Sequence, residues 1–121
     1  MSEAPLLLVV DDDPSVLLLV DVLAEKMGFR VKAVSSGLQA LEQLRDGLQP
    51  AVILLDIMME RIDGLTFMNH VREMPSVENT PVIAMSTAAV LERYGEQLKV
   101  SGTLLKPITN QTLQQALERY R

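Results

Sequence analysis

Four aspartates and one lysine stand directly behind apolar runs in this sequence. Leu6–Val10 leads into Asp11, Asp12 and Asp13, Val52–Leu55 leads into Asp56, and Leu104 and Leu105 lead into Lys106. Carboxylates offer hard anionic oxygens of the kind Mg2+ selects, an ion that takes one or two carboxylates and keeps several waters. Carboxylates crowded to ~4 Å repel one another by about 4 kcal/mol at an effective dielectric near 20, so a site built from them calls for positive charge. A divalent cation and the Lys106 ammonium are the natural compensators. The bland alternative is that Asp13 caps a helix and the other aspartates merely form turns at strand ends.

For these residues to meet, the elements carrying them must converge. In a parallel sheet, positions just past the carboxyl ends of the strands border one crevice, which opens at the topological switch point. The chain reads as five strand–helix units, short apolar runs alternating with segments of helical period. The first strand is Leu6–Val10; Asp13 caps the following helix, Pro14 occupies its first turn and Gly28 ends it. The second strand is Arg30–Val34, followed by a helix from Leu38 to Leu44 with Leu38, Leu41 and Leu44 at turn spacing. The third strand, Ala51–Leu55, is wholly apolar and hence central, and the helix after Asp63 and Gly64 sets Leu65, Met68 and Val71 on one face until Pro75. The fourth strand is Pro81–Met85, with a weaker helix over Ala88–Leu98 interrupted by Gly95. Thr103–Leu105 forms the fifth strand, and a last helix beyond Thr109 aligns Leu113, Ala116, Leu117 and Tyr120.

Composition narrows the function classes. With 121 residues the chain suits one domain with an ordinary core. It has no cysteine, which removes disulfides and thiolate metal sites and fits a reducing cytoplasm. No apolar run approaches the ~20 residues of a membrane span, and no signal peptide is expected. A net charge of −5, from 16 acidic and 11 basic residues, opposes direct binding to nucleic acid, because affinity for a phosphate backbone comes from Lys and Arg displacing counterions.

The whole order, VVDDDP, then LLLDIMM with Asp63-Gly64 downstream, then PVIAMS, then LLKP, resembles the receiver domain of bacterial two-component response regulators over nearly the full length. That resemblance implies an α/β fold, a (βα)5 doubly wound parallel five-stranded sheet of flavodoxin-like order 2-1-3-4-5, with residues 1–121 forming one receiver domain. It implies that Asp56 accepts a phosphoryl group from a sensor histidine kinase or a histidine phosphotransfer protein. By the same resemblance Mg2+ is held by Asp12, by Asp56 and by the backbone carbonyl of Met58, with Asp11 acting through water. Lys106 contacts the phosphoryl group and Ser86 is the switch hydroxyl. Signalling then passes to a downstream protein or an output domain outside this chain, with a homodimer as one outcome, and the domain catalyses only its own phosphorylation and dephosphorylation. Lys106-Pro107 fits the family's cis pattern, although sequence permits either isomer.

Several residues depart from the family pattern. Met59-Glu60 stands where Met-Pro is common, and a carboxylate there opposes an incoming phosphate unless Arg61 screens it or Glu60 points to solvent. Thr103 replaces a frequent aromatic, and the stretch from Ser86 to Lys106 is about two residues short, which predicts a short or bent fourth helix. In the first helix, Val16, Leu19, Val20, Leu23 and Met27 are expected to face the sheet, leaving Leu18 and Val22 outward as single exposed residues or as a docking face. His70 reads as solvent-facing and the seven methionines as core filling. Two rival functions stand beside the main one. A pseudo-receiver would bind partners without phosphorylation. A phosphohydrolase of the haloacid dehalogenase type would use Asp11 and Asp13 as its D-x-D pair, but Pro14 and the short chain oppose it.

Overall fold

A computed structural model describes residues 4–58 and 63–121, and within the latter leaves the side chains of residues 94–96 undescribed. Its strands are β1 (Leu6–Val10), β2 (Arg30–Val34), β3 (Val52–Asp56), β4 (Val82–Ser86) and β5 (Gly102–Leu105), and each is followed by a helix. The helices are α1 (Pro14–Lys26), α2 (Gly37–Arg45), α3 (Gly64–Arg72), α4 (Ala88–Leu98) and α5 (Asn110–Leu117), with a short 3-10 turn over Glu118–Tyr120 after the last. The strands form one parallel sheet in the order β2-β1-β3-β4-β5, as the sequence reading expects. The order reverses direction beside β1 and β3, so the loops leaving those two strands diverge to opposite faces and open a crevice between them.

Every residue of β3 and β4 is buried, which explains their unbroken apolar runs. Alternate side chains point to opposite faces of a strand. Leu8, Val10, Ile53, Leu55, Val82 and Ala84 pack beneath α2, α3 and α4. Leu7, Val9, Val52, Leu54, Ile83, Met85 and Leu104 pack beneath α1 and α5. β3 and β4 each run one residue further than the sequence pattern indicates. Asp56 pairs with Met85 and Ser86 pairs with Leu105, so both polar residues are the closing members of strands.

Helix starts follow local chemistry. The side chains of Ser36, Asp63 and Thr109 each accept a hydrogen bond from the amide three residues on, at α2, α3 and α5. At α4 the Thr87 side chain makes no such bond. That helix nevertheless continues through Gly95 for 11 residues, so the expected shortening does not occur; it ends at Lys99 in the left-handed conformation with φ of 53°.

Three apolar faces differ from the periodicity. On α3 the buried side is Gly64, Phe67, Met68 and Val71, while Leu65 is exposed. Gly64 sits so close to the sheet that a Cβ there would lie 2.8 Å from Ile57 Cβ, so the helix seats on its glycine edge and the residues three, four and seven on turn inward. On α1, Val20, Ala24 and Met27 are buried and Leu17 packs beside them, but Leu19 faces outward with Leu18 and Val22. On α2, Leu41 and Leu44 are buried and Leu38 is exposed. His70 is half-buried rather than fully solvent-facing. Met27, Met68 and Met85 fill the core as expected, whereas Met58 is 60% exposed.

Candidate functional site

The ends of β1, β3 and β5 bring together the acids and the lysine. Asp11 follows β1, anchored by its amide donating to the Val34 carbonyl at 3.2 Å, and is completely buried. Asp56 closes β3 and is 5% exposed. Lys106 follows β5, anchored by its amide donating to the Ser86 carbonyl at 3.0 Å. Strand alternation puts Asp56 on the same face as Val52 and Leu54, over α1 and α5. Ser86, also buried, continues the line of Val82 and Ala84 on the opposite face, one residue past Met85, the partner of Asp56.

The cation is shared unequally. Lys106 Nζ lies 2.9 Å from Asp11 Oδ2 and 3.5 Å from Asp56 Oδ2. Asp11 Oδ1 accepts a hydrogen bond from the Asp13 amide at 2.9 Å, and Asp56 Oδ1 accepts one from the Met58 amide at 3.0 Å. Burial pushes the Asp56 carboxyl above its usual range; the Met58 amide opposes that shift, the charges of Asp11 and Asp12 add to it and the Lys106 charge reduces it. For Lys106, burial works against the charged form, but contact with Asp11 and the negative charges of Asp56 and Asp11 outweigh it and raise the ammonium above its usual value. Asp12 is exposed at the mouth of the crevice.

One carboxylate oxygen from each of Asp11, Asp12 and Asp56 lies within 4.8 Å of the others. Among the described residues, the enclosed Asp11 Oδ2 has no well-aligned hydrogen-bond donor, and the Lys106 ammonium lies beside it. Three carboxyl groups thus face one ammonium, and such a set of oxygen donors fits a hard divalent cation such as Mg2+. Of the residues named from sequence, Asp11, Asp12, Asp56 and Lys106 are thus brought together, and Met58 touches the group through its amide. Asp13 caps α1, as expected, through its side chain. Its amide also reaches Asp11, a contact that no residue type in the sequence signals. Glu60 and Arg61 lie outside the described residues, as does Met59. Thr103 is exposed on β5, and the Lys106-Pro107 peptide is cis.

The family described as response regulator receiver domain matches residues 7–118. This chain belongs to that family. Among curated relatives, the signal transduction histidine-protein kinase BarA of Escherichia coli K12 is 36% identical over 115 residues, covering 93% of this chain and 12% of that protein. The transcriptional regulatory protein ZraR of the same strain is 33% identical over 116 residues, covering 93% of this chain and 25% of its own. This receiver domain therefore spans only a small part of either relative. The chemotaxis response regulator CheY4 of Vibrio cholerae superposes with a TM-score of 0.88 at 27% identity, covering 99% of this chain and 100% of that one. No helix among the described residues of the receiver is long and apolar enough to cross a membrane.

Proposed function

We propose that this receiver accepts a phosphoryl group on Asp56 and converts that event into a change in partner binding. The observation carrying this reading is a nearly buried carboxylate that shares a lysine with Asp11 and lies beside an excess of negative charge. An Asp56 carboxylate oxygen attacks phosphorus, the bond from phosphorus to a donor imidazole nitrogen breaks, and that nitrogen keeps the electron pair and takes up a proton. The donor is a histidine kinase or a histidine phosphotransfer protein. Phosphoryl transfer asks for positioning and charge neutralisation more than for covalent help, and the cleft is arranged to supply both.

Asp12, Asp56 and the Met58 carbonyl would hold Mg2+, with Asp11 acting through water. The bound ion would draw negative charge from the phosphoryl oxygens. Lys106 follows the charge: relieved of part of its attraction to Asp11, it turns to the phosphoryl group on Asp56. Ser86 donates its hydroxyl hydrogen to a phosphoryl oxygen from the opposite face of the sheet and draws the β4–α4 connection with it. α4, whose N-cap side chain makes no capping hydrogen bond, is the helix best placed to respond. The domain turns over no external substrate, works in the cytoplasm as one receiver unit, and signals through a second protein, a second copy or an attached output domain.

Beryllofluoride with Mg2+ tests this reading, since it mimics a phosphoryl group on a carboxylate without chemistry. Amide resonances of Met58, Ser86 and α4 should shift together in the parent and stay unmoved in Asp56→Asn. A parent spectrum insensitive to the mimic would leave a domain that binds partners without phosphorylation.

A further inference from the structure

We infer that Asp13 is a positioning residue whose side chain clasps the first turn of α1 so that its own amide is aimed at Asp11, which fixes the Asp11 oxygen presented to Lys106. The inference builds on the reading of the acid cluster above. A carboxylate turns readily about its terminal torsion, which has broad rather than sharply staggered minima, so its orientation must come from the groups that bind it. Asp11 has two such groups: the Asp13 amide on Oδ1 at 2.9 Å and the Lys106 ammonium beside Oδ2 at 2.9 Å.

Asp13 itself is held by four hydrogen bonds. Its Oδ1 accepts from the Ser15 amide at 2.9 Å and from the Ser15 hydroxyl at 2.7 Å. Its carbonyl accepts from the amides of Val16 and Leu17 at 3.1 and 3.2 Å. With side chain and carbonyl both committed to the helix, the remaining donor, its amide, has a set direction. The caps of α2, α3 and α5 bind the amide three residues on, whereas Asp13 binds the amide two residues on, and Asp13 alone of these donates its own amide to an acid of the cluster.

The test compares Asp13→Ala, which removes the clasp, with Asp13→Asn, which keeps a capping oxygen and removes the charge. Ser36→Ala removes the cap of α2 and serves as the control for a merely structural loss. Mg2+ affinity is measured by calorimetry, and exchange of the residue-13 amide is followed in metal-free protein. Asp13→Ala should weaken Mg2+ by about tenfold or more, the scale on which groups orienting a metal ligand act, and its amide should exchange faster. Asp13→Asn should stay close to the parent in both, and Ser36→Ala should leave both unchanged while still lowering thermal stability. Parent-like affinity and exchange in Asp13→Ala would overturn the inference, as would an Asp13→Asn variant as weak as Asp13→Ala, because charge rather than the clasp would then be acting. If the parent itself fails to bind Mg2+, the metal site is wrong and amide exchange alone decides whether Asp13 positions Asp11.

Discussion

Lys106 is nearer to Asp11 than to Asp56, with Nζ at 2.9 Å from Asp11 Oδ2 and 3.5 Å from Asp56 Oδ2. The lysine of the cleft therefore rests chiefly on a wholly buried acid and reaches the candidate acceptor second. Its departure leaves Asp11 without compensation. Lys106→Met should destabilise the metal-free domain by about 1–3 kcal/mol, less than a fully buried pair because the lysine side chain is a quarter exposed. Urea unfolding is the check, and the midpoint should fall with little change in slope.

Asp56 makes stability depend on pH in a stated direction. Its carboxyl is raised by burial and by the charges of Asp11 and Asp12, so the folded state binds a proton more readily than the unfolded chain. A carboxyl of this kind favours the fold fully below its unfolded value near 3.8, and the advantage is lost as pH rises through its folded value. Asp56→Asn removes the buried charge, so it should raise the melting temperature of the metal-free domain at neutral pH, with the gain shrinking as pH falls into the acid range. Thermal melts of both proteins across pH provide the comparison.

A cation that binds only the folded state stabilises it by mass action, about 2.7 kcal/mol at a hundredfold excess over the dissociation constant. Mg2+ should therefore raise the melting temperature of the parent in a concentration-dependent way. Asp12→Ala, which removes the exposed carboxylate at the mouth of the crevice, should melt at a similar temperature without Mg2+ and lose most of the increase.

The seating of α3 bears on Ile57, the residue that follows Asp56. A methyl group at position 64 would meet Ile57 Cβ and Cγ2 at 2.8 Å, in the residue between Asp56 and Met58. Gly64→Ala should cost about 1–3 kcal/mol of stability, the usual range for overpacking, despite the better helix propensity of alanine. The same displacement should disturb the Met58 amide that binds Asp56, which would show as a shifted Met58 resonance in the metal-free protein.

Much of this arrangement was legible in the sequence because it depends on runs and spacings. Apolar runs ending in aspartate or lysine locate three strand ends, and a parallel sheet gathers such ends by geometry, so the meeting of Asp11, Asp12, Asp56 and Lys106 follows from order alone. The strands shift by a residue where a polar group closes the ladder, as at Asp56 and Ser86, because pairing with Met85 and Leu105 is a property of the neighbouring strand. Helix faces were less legible. The crowded apolar segment Val16–Val20 supports more than one stripe, and packing selects the side with the small Ala24 and leaves Leu19 outside. Leu65 fits the spacing of a core residue, but the close approach of Gly64 to Ile57 turns Phe67 inward instead. Lys106 choosing Asp11, and the Asp13 amide holding it, are matters of distances below one side-chain length, which residue spacing does not encode.

The most direct measurement of the central claim is intact mass after incubation with acetyl phosphate, with and without Mg2+, followed by assignment of the modified residue by fragmentation. The parent should gain one phosphoryl group in the presence of Mg2+, assigned to Asp56, and little without the ion, while Asp56→Asn should gain none. A parent that stays unmodified, or an adduct that persists in Asp56→Asn, would contradict the account.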